Sequence, residues 1–272
     1  MRMKYKCMSL RHKYVNRGGD YWRGSTIYDH YALTNYQTSY RYIVDKYKSP
    51  LTILEAGCGL GRWAVPLALG GFIVTGIDIE QDALDILKQF HSSPNLTVVH
   101  GDILAMPFPD ESFDLVLSLG VLEHFEDARS QHKALSEHLR VLKCDGALFV
   151  TVPYLSIIRL FLHMPYIWVR SIVRKHKHQK QYFSEYRYGL TEFRRILESN
   201  HLNILDVVWD DLLPPYSFGL TVDYPLRRFT RSADAVPYKL NTFGRFLHLL
   251  LWNIHPALIS GGIGFLCKKQ HR

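Results

Sequence analysis

The residues best equipped for chemistry are Glu55-Ala56-Gly57-Cys58-Gly59-Leu60-Gly61, set between a short apolar run and an amphipathic stretch. Glycines at such a junction permit positive φ and let a ligand approach the backbone with no Cβ in the way. The helix expected to follow adds a partly positive N-terminus. Alone, the loop could serve a dinucleotide, a nucleoside or tight packing. Its third glycine comes one residue earlier than in the G-x-G-x-x-G fingerprint, which weakens the dinucleotide reading. Carboxylates around it sharpen the choice. Asp78 closes the next apolar run, 21 residues after Gly57, where a carboxylate can accept hydrogen bonds from two ribose hydroxyls. Asp102, in Gly101-Asp102-Ile103, can accept from an exocyclic amine, and Glu55 stands beside the loop itself. A crevice lined by three strand-end carboxylates suits a nucleoside with a cationic tail better than a pyrophosphate.

Positioning these groups requires strands that end together. Leu51–Leu54, Phe72–Ile77, Leu96–Val99, Phe113–Ser118 and Ala147–Val152 are short, nearly continuous apolar runs, as buried parallel strands are. Between them, Ala83, Leu84, Ile86, Leu87 and Phe90 fall on one side of a helix after Glu80, and Leu135, Leu139 and Leu142 recur at helical spacing. The alternation predicts βαβ units and a parallel sheet. Beyond them, a helix is expected at Thr191–Ser199, a sixth strand at Leu202–Trp209 and a seventh at Gly261–Lys268.

The chain has 272 residues, 47% apolar and 21% charged, a globular composition. Its net charge of +8 conceals a division: residues 51–150 hold 6 basic and 14 acidic side chains, and the flanks 27 basic and 11 acidic. Cys7, Cys58, Cys144 and Cys267 form no C-x-x-C pair, and no histidine cluster has zinc-ligand spacing, so no metal is expected. Cysteine scarcity in a chain of this length points to a reducing, cytoplasmic setting, and the basic start lacks the apolar run of a secretory signal.

The run from Leu51 to Pro153 resembles the class I S-adenosylmethionine-dependent methyltransferases, in particular the UbiE/Coq5-like methyltransferase type 11 group. The glycine loop matches that family's first motif, Gly76-Ile77-Asp78-Ile79 its second-strand acidic site and Gly101–Phe108 its adenine loop. Phe113-Asp114-Leu115-Val116 with Leu119–Phe125 matches the fourth strand and the segment after it, and Leu142–Leu148 the turn into the fifth. The resemblance implies a Rossmann-like, seven-stranded, mostly parallel sheet with helices on both faces, and S-adenosyl-L-methionine as cofactor. It implies that Glu55, Gly57, Gly59 and Gly61 cradle the methionine part, that Asp78 holds the ribose and that Ile79 lies against the adenine. Asp102 and Ile103 would contact the adenine amine and ring, and Leu119 and His124 would line the cofactor side of the substrate cleft. For Asp78 and Asp102 the plain alternative is a turn or a helix cap, and for His124 a helix-start histidine. Cys58 reads as a small residue that fits its loop.

A methyl sulfonium is already activated, so a general base is needed only for acceptors such as a hydroxyl or a carbon acid. Glu123, His124, Tyr28, Tyr154 and Tyr182 are candidates, and nothing in their spacing selects one as catalytic. Around the core at 51–153 the chain divides into residues 1–50, Tyr-rich and expected as a helical cap, an apolar and basic insertion at 154–190, and the remainder at 191–272. Tyr154–Val169 carries one charge, Arg159, and the cluster Arg174–Lys180 follows. The pair suits a lid over an apolar cleft, a segment lying on an anionic membrane surface, or a buried extra helix. Phe246–Cys267 has no charged side chain, yet its histidines, proline and glycines favour a helix followed by a strand over a membrane span. About 50 residues separate strands six and seven, longer than the family's usual hairpin. No nucleic-acid-binding motif is present, so nucleic acid is the weaker partner. The reading is therefore a methyltransferase for an apolar or amphipathic, small-molecule or lipid-linked acceptor. The alternatives are a soluble small-molecule or RNA methyltransferase and a cofactor-binding protein without transfer.

Overall fold

Apolar side chains alternate between two faces along the central strands, and that alternation builds the molecule. In the computed structural model, which describes residues 2–8, 31, 33–173, 181–222, 227–233 and 236–270, the sheet strands are β2 (Thr52–Ala56), β3 (Ile73–Asp78), β4 (Leu96–His100), β5 (Phe113–Leu119), β6 (Leu142–Pro153), β8 (Leu202–Asp210) and β9 (Gly262–Lys269). Their order is β4-β3-β2-β5-β6-β9-β8. The first five strands run parallel, and β9 runs antiparallel to both β6 and β8. This is the seven-stranded, mostly parallel, Rossmann-like sheet expected from the sequence.

Ile53, Leu115 and Leu117 face one side with helix α1 (Thr38–Lys46) and helix α2 (Ala64–Leu69), where Tyr40, Ile43, Leu67 and Phe149 close the layer. Leu54, Val116 and Val150 face the other side with α4 (Ala128–Val141) and α6 (Leu190–Ser199), through Leu135, Phe193 and Leu197. Helix α3 (Gln81–Phe90) packs Leu84 and Leu87 against Val65 and Cys58. Burial on both faces explains why these strands read as continuous apolar runs.

The flanks depart from expectation. Arg2–Met8 (β1) is a strand within the segment expected to be a helical cap, and it pairs antiparallel with β7 (Gln181–Tyr188), a strand that sequence patterning did not single out. Arg2-Met3-Lys4-Tyr5-Lys6-Cys7 does alternate basic and apolar side chains at the period of a strand, a signal that the helical expectation for residues 1–50 passed over, whereas β7 alternates only from Glu185 to Tyr188. Residues 142–146 continue β6 instead of forming a turn, since Leu142 pairs with Phe113. The apolar stretch, read as a lid, a membrane-lying segment or a buried extra helix, is divided. Tyr154, Leu155 and Arg159 are buried, whereas Phe161, Leu162, Trp168 and Val169 are exposed along a π-helical turn (Arg159–His163) and α5 (Met164–Val173). The cluster Arg174–Lys180 and Tyr28 lie outside the described residues. The insertion between β8 and β9 holds α7 (Phe218–Val222), α8 (Arg227–Thr230) and α9 (Thr242–Ile254), so the apolar C-terminal run resolves into a helix and a strand. Among the described residues no helix is long and apolar enough to cross a membrane.

Candidate active site

Strand order reverses at β2, whose neighbours are β3 and β5, and a crevice opens beyond the C-terminal ends of these strands. It forms a cleft of about 950 Å³. Gly57, with φ of +79°, turns the chain off β2, and its missing Cβ leaves room for the side chain of Val121. Gly57 and Cys58 both donate to Ile77 O (2.8 and 3.0 Å), Gly61 N–H donates to Cys58 O (2.7 Å), and Gly59 N–H donates to Asp78 Oδ2 (2.7 Å). Four loop N–H groups thus have partners inside the protein and are not collected into an anion cradle. This is the wrong loop for a pyrophosphate and an acceptable one for a neutral or cationic group.

Nine of the ten residues proposed from the sequence line the cleft: Glu55, Gly57, Gly59, Asp78, Ile79, Asp102, Ile103, Leu119 and His124. Gly61 does not. It is buried under α3, where a Cβ would press on Leu87 at 2.9 Å, so its role is packing between loop and helix. Asp78 is held by two backbone donors, Gly59 N–H and Glu80 N–H (2.9 Å), and each oxygen keeps a lone pair for a ligand. Asp102 accepts from Leu104 N–H through Oδ1 at 2.8 Å, an Asx turn that fixes the carboxylate at the rim. Glu55 is buried and accepts from Ala64 N–H at 2.6 Å, anchoring the start of α2; burial pushes its carboxyl up to about 8. At neutral pH it is therefore partly protonated, a weaker negative charge than its position suggested.

The far half of the cleft belongs to elements that are remote in sequence. Glu123 follows β5 in a 3₁₀ turn, Leu122–His124, is 2% exposed, and has no hydrogen-bond partner for Oε2 among the described residues. Burial pushes its carboxyl up to about 7. Glu185 and Arg187 of β7 form an ion pair at 2.9 Å along the same wall. Arg159 is buried and donates to Tyr154 O at 2.9 Å. From the N-terminal side come Tyr31, whose hydroxyl donates to Leu60 O at 2.8 Å, and Gln37, which donates to Asp210 and accepts from Arg62 and Trp63. Phe218, Val222 and Tyr238 supply an apolar side. Of these, Glu123 was marked in the sequence as a candidate base, and Arg159 as the single charge in an apolar run. The rest are joined by topology and no local pattern marks them. Among the candidate bases, Glu123 and His124 reach the cleft; Tyr154 instead packs edge-on to Trp209 at 5.1 Å outside its lining. Among the described residues, no cluster fit for a metal ion occurs.

The cleft fits an adenosyl sulfonium. It offers paired acceptors at Asp78, a rim carboxylate at Asp102 and an apolar wall at Ile103, with no phosphate cradle.

The family described as "Methyltransferase domain" matches residues 54–150. Over 103 residues the chain is 30% identical to a ubiquinone biosynthesis O-methyltransferase of Bartonella quintana, covering 37% of this chain and 40% of that protein. Over 96 residues it is 36% identical to a phthiotriol/phenolphthiotriol dimycocerosates methyltransferase of Mycobacterium tuberculosis, covering 35% and 34%. The matches span from 34% to 52% of the length of the curated relatives. A SAM-dependent methyltransferase of Methanosarcina mazei shares the fold at TM-score 0.58 and 17% identity, over 85% of this chain and 98% of that one. Magnesium protoporphyrin IX methyltransferase of Synechocystis, solved with bound SAH, shares it at 0.54 and 19%, over 73% and 90%.

Proposed function

From the premise that residues 54–150 form a class I S-adenosylmethionine-dependent methyltransferase domain of the UbiE/Coq5-like type, we propose that the protein transfers a methyl group to an apolar or amphipathic acceptor. The observation that carries this reading is the division of one cleft into two halves. Asp78, Asp102 and Ile103 stand on the strand-end side. A buried carboxyl, Glu123, stands with Phe218, Val222 and Tyr238 on the other.

When bound, S-adenosylmethionine supplies an electrophilic methyl on a sulfonium. The chain's own residues then have three tasks. Asp78 accepts from the ribose hydroxyls, and its two backbone bonds keep it from turning away. The apolar wall excludes water from the reacting end. Glu123 takes the proton of an acceptor hydroxyl or acidic carbon through Oε2; its carboxyl near 7 is matched to that work at neutral pH. The name of the mycobacterial relative is in line with an apolar acceptor, and that of the Bartonella relative with an oxygen acceptor.

Isothermal titration with S-adenosylhomocysteine tests the cofactor half. Asp78→Ala should weaken binding by about tenfold to a hundredfold, the loss of two hydrogen bonds to one carboxylate. No heat with the unaltered protein, or equal affinity in the variant, rejects the assignment. Labelled-methyl transfer into cell extract tests the acceptor half. The label should enter the organic phase; label confined to RNA or to water-soluble products rejects the apolar acceptor.

A further inference from the structure

Two helices beside the cleft turn apolar stripes outward. On α5 and the turn before it, Ile157, Phe161, Leu162, Trp168 and Val169 recur at helical spacing, with Phe161 68% and Trp168 66% exposed. On α9 the stripe is Phe243, Phe246, Leu249, Leu250 and Ile254, with Phe246 62% exposed. Both elements rest on one small cluster of Leu220, Leu240 and Ile259, against which Ile158 packs from the first and Leu247, Leu251 and Trp252 from the second. Ile158 and the inner side of α9 are satisfied by this cluster, and the exposed stripes are not needed to build it. Large side chains exposed along two adjacent elements are unusual on a water-facing surface.

Within the two stretches that carry the stripes the charge is of one sign, while Asp223 and Asp234 stand on either side of α8 in the sequence. Residues 154–184 and 235–272 contain no Asp or Glu. Arg227 and Arg228 of α8, which packs against α9, and Arg245 of α9 itself are exposed. Exposed aromatic and aliphatic side chains in stretches that hold cations and no carboxylate form the composition that settles into the headgroup region of an anionic bilayer. At 10 and 13 residues the helices are about 15 and 20 Å long, too short to cross and long enough to lie flat. The turn before α5 reaches the cleft through Arg159, and α7, whose Leu220 packs with Leu247 and Leu251 of α9, reaches it through Phe218 and Val222.

We propose that α5 and α9 form a docking face for an anionic lipid surface, holding the cleft mouth at the membrane. This goes beyond the proposed reaction and stands or falls without it, because its measurements involve no methyl transfer.

The test is co-sedimentation of the full chain with phosphatidylcholine vesicles, with and without about one-third phosphatidylserine, at low and high salt. Binding should require phosphatidylserine and weaken with salt. Phe243→Ser/Phe246→Ser and Phe161→Ser/Leu162→Ser should each reduce it by about tenfold or more. Titration with S-adenosylhomocysteine, unchanged in both pairs, shows that they are folded, and it reads the cofactor site separately. Vesicles should also shift tryptophan emission to the blue in the unaltered protein and much less in Trp168→Phe. Absence of vesicle binding overturns the proposal, as does binding that neither pair alters. So does a concentration-dependent dimer, seen by sedimentation velocity and abolished by the same pairs without vesicle binding, which would give the face to a second copy of the chain.

Discussion

A Cβ at Gly57 would stand 2.6 Å from Val121 Cγ2, and φ there is +79°. Both facts bar a side chain, one by sterics with a neighbour across the cleft and one by backbone conformation. Gly57→Ala should lower stability by about 1–3 kcal/mol and weaken S-adenosylhomocysteine binding, since the loop cannot keep its path while Val121 moves aside. Chemical denaturation and calorimetry on the same sample read both effects. Gly61 is a different case, although it sits in the same motif. Its φ of +71° is as restrictive, but a Cβ there would meet Leu87 of α3 and not a residue across the cleft, so Gly61→Ala should act chiefly on stability. Sequence spacing treats the glycines alike because it registers their freedom and not what lies opposite.

At the scale of elements, α1 is fastened to the far edge of the sheet by a buried carboxylate, alongside Thr38 N–H and Oγ1 donating to Asp211 O and Tyr42 Oη donating to Asp206. Asp210 at the end of β8 accepts from Ser39 Oγ at 2.5 Å and from Gln37 Nε2 at 2.9 Å, and burial raises its pKa against those bonds. Gln37 in turn accepts from Arg62 (3.0 Å) and Trp63 (3.1 Å), so α1, the loop after β2 and β8 share one polar network. Asp210→Ala removes the acceptor and leaves buried donors unmet. We expect a loss of about 2–4 kcal/mol, with protease cleavage near residues 31–50 appearing before global unfolding. Cleavage that starts elsewhere at unchanged stability would dismiss the network as the fastening of α1.

For the whole molecule, the acidic centre inside basic flanks has a titration consequence. Burial raises Glu55 to about 8 and Glu123 to about 7, above the usual value near 4.3 for an unfolded Glu. A carboxyl raised in the folded state contributes stability that is complete below its unfolded pKa and is lost as pH climbs through the folded one. Burial lowers His138 to about 4, and its contribution runs the other way, present above about pH 6.5 and lost on acidification. Two carboxyls outweigh one histidine, so these three groups make stability fall from about pH 5 to about pH 8. Glu123→Gln removes one of the two and should flatten that slope by about 1.4 kcal/mol per pH unit. Thermal melts across the range decide it; an unchanged slope would mean that Glu123 is ionised in the folded protein.

How much of this was legible beforehand follows from the range of each interaction. Five parallel strands, the glycine turn, Asp78 and Asp102 were readable because their signals are local: apolar runs of strand length, a turn chemistry, a carboxylate at a strand end. The β1–β7 pairing was not, since its partners are some 180 residues apart: Arg2–Cys7 does alternate at a strand's period, but nothing local names the segment it pairs with. Nor was the far half of the cleft, where Tyr31, Arg62, Glu185, Arg187 and Asp210 meet only because the chain returns to the same crevice from both ends. The sequence by itself determined the strand-end half of the cleft, proposed as the cofactor side, whose residues are set by the backbone path of single βα units. Only the tertiary structure decided that Gly61 packs and does not line, that Glu123 is buried with an oxygen to spare, and that the apolar run after β6 shows one side to the core and the other to solvent. The physical reason is common to all three: burial is a property of what stands opposite, and a linear pattern does not specify the opposite wall.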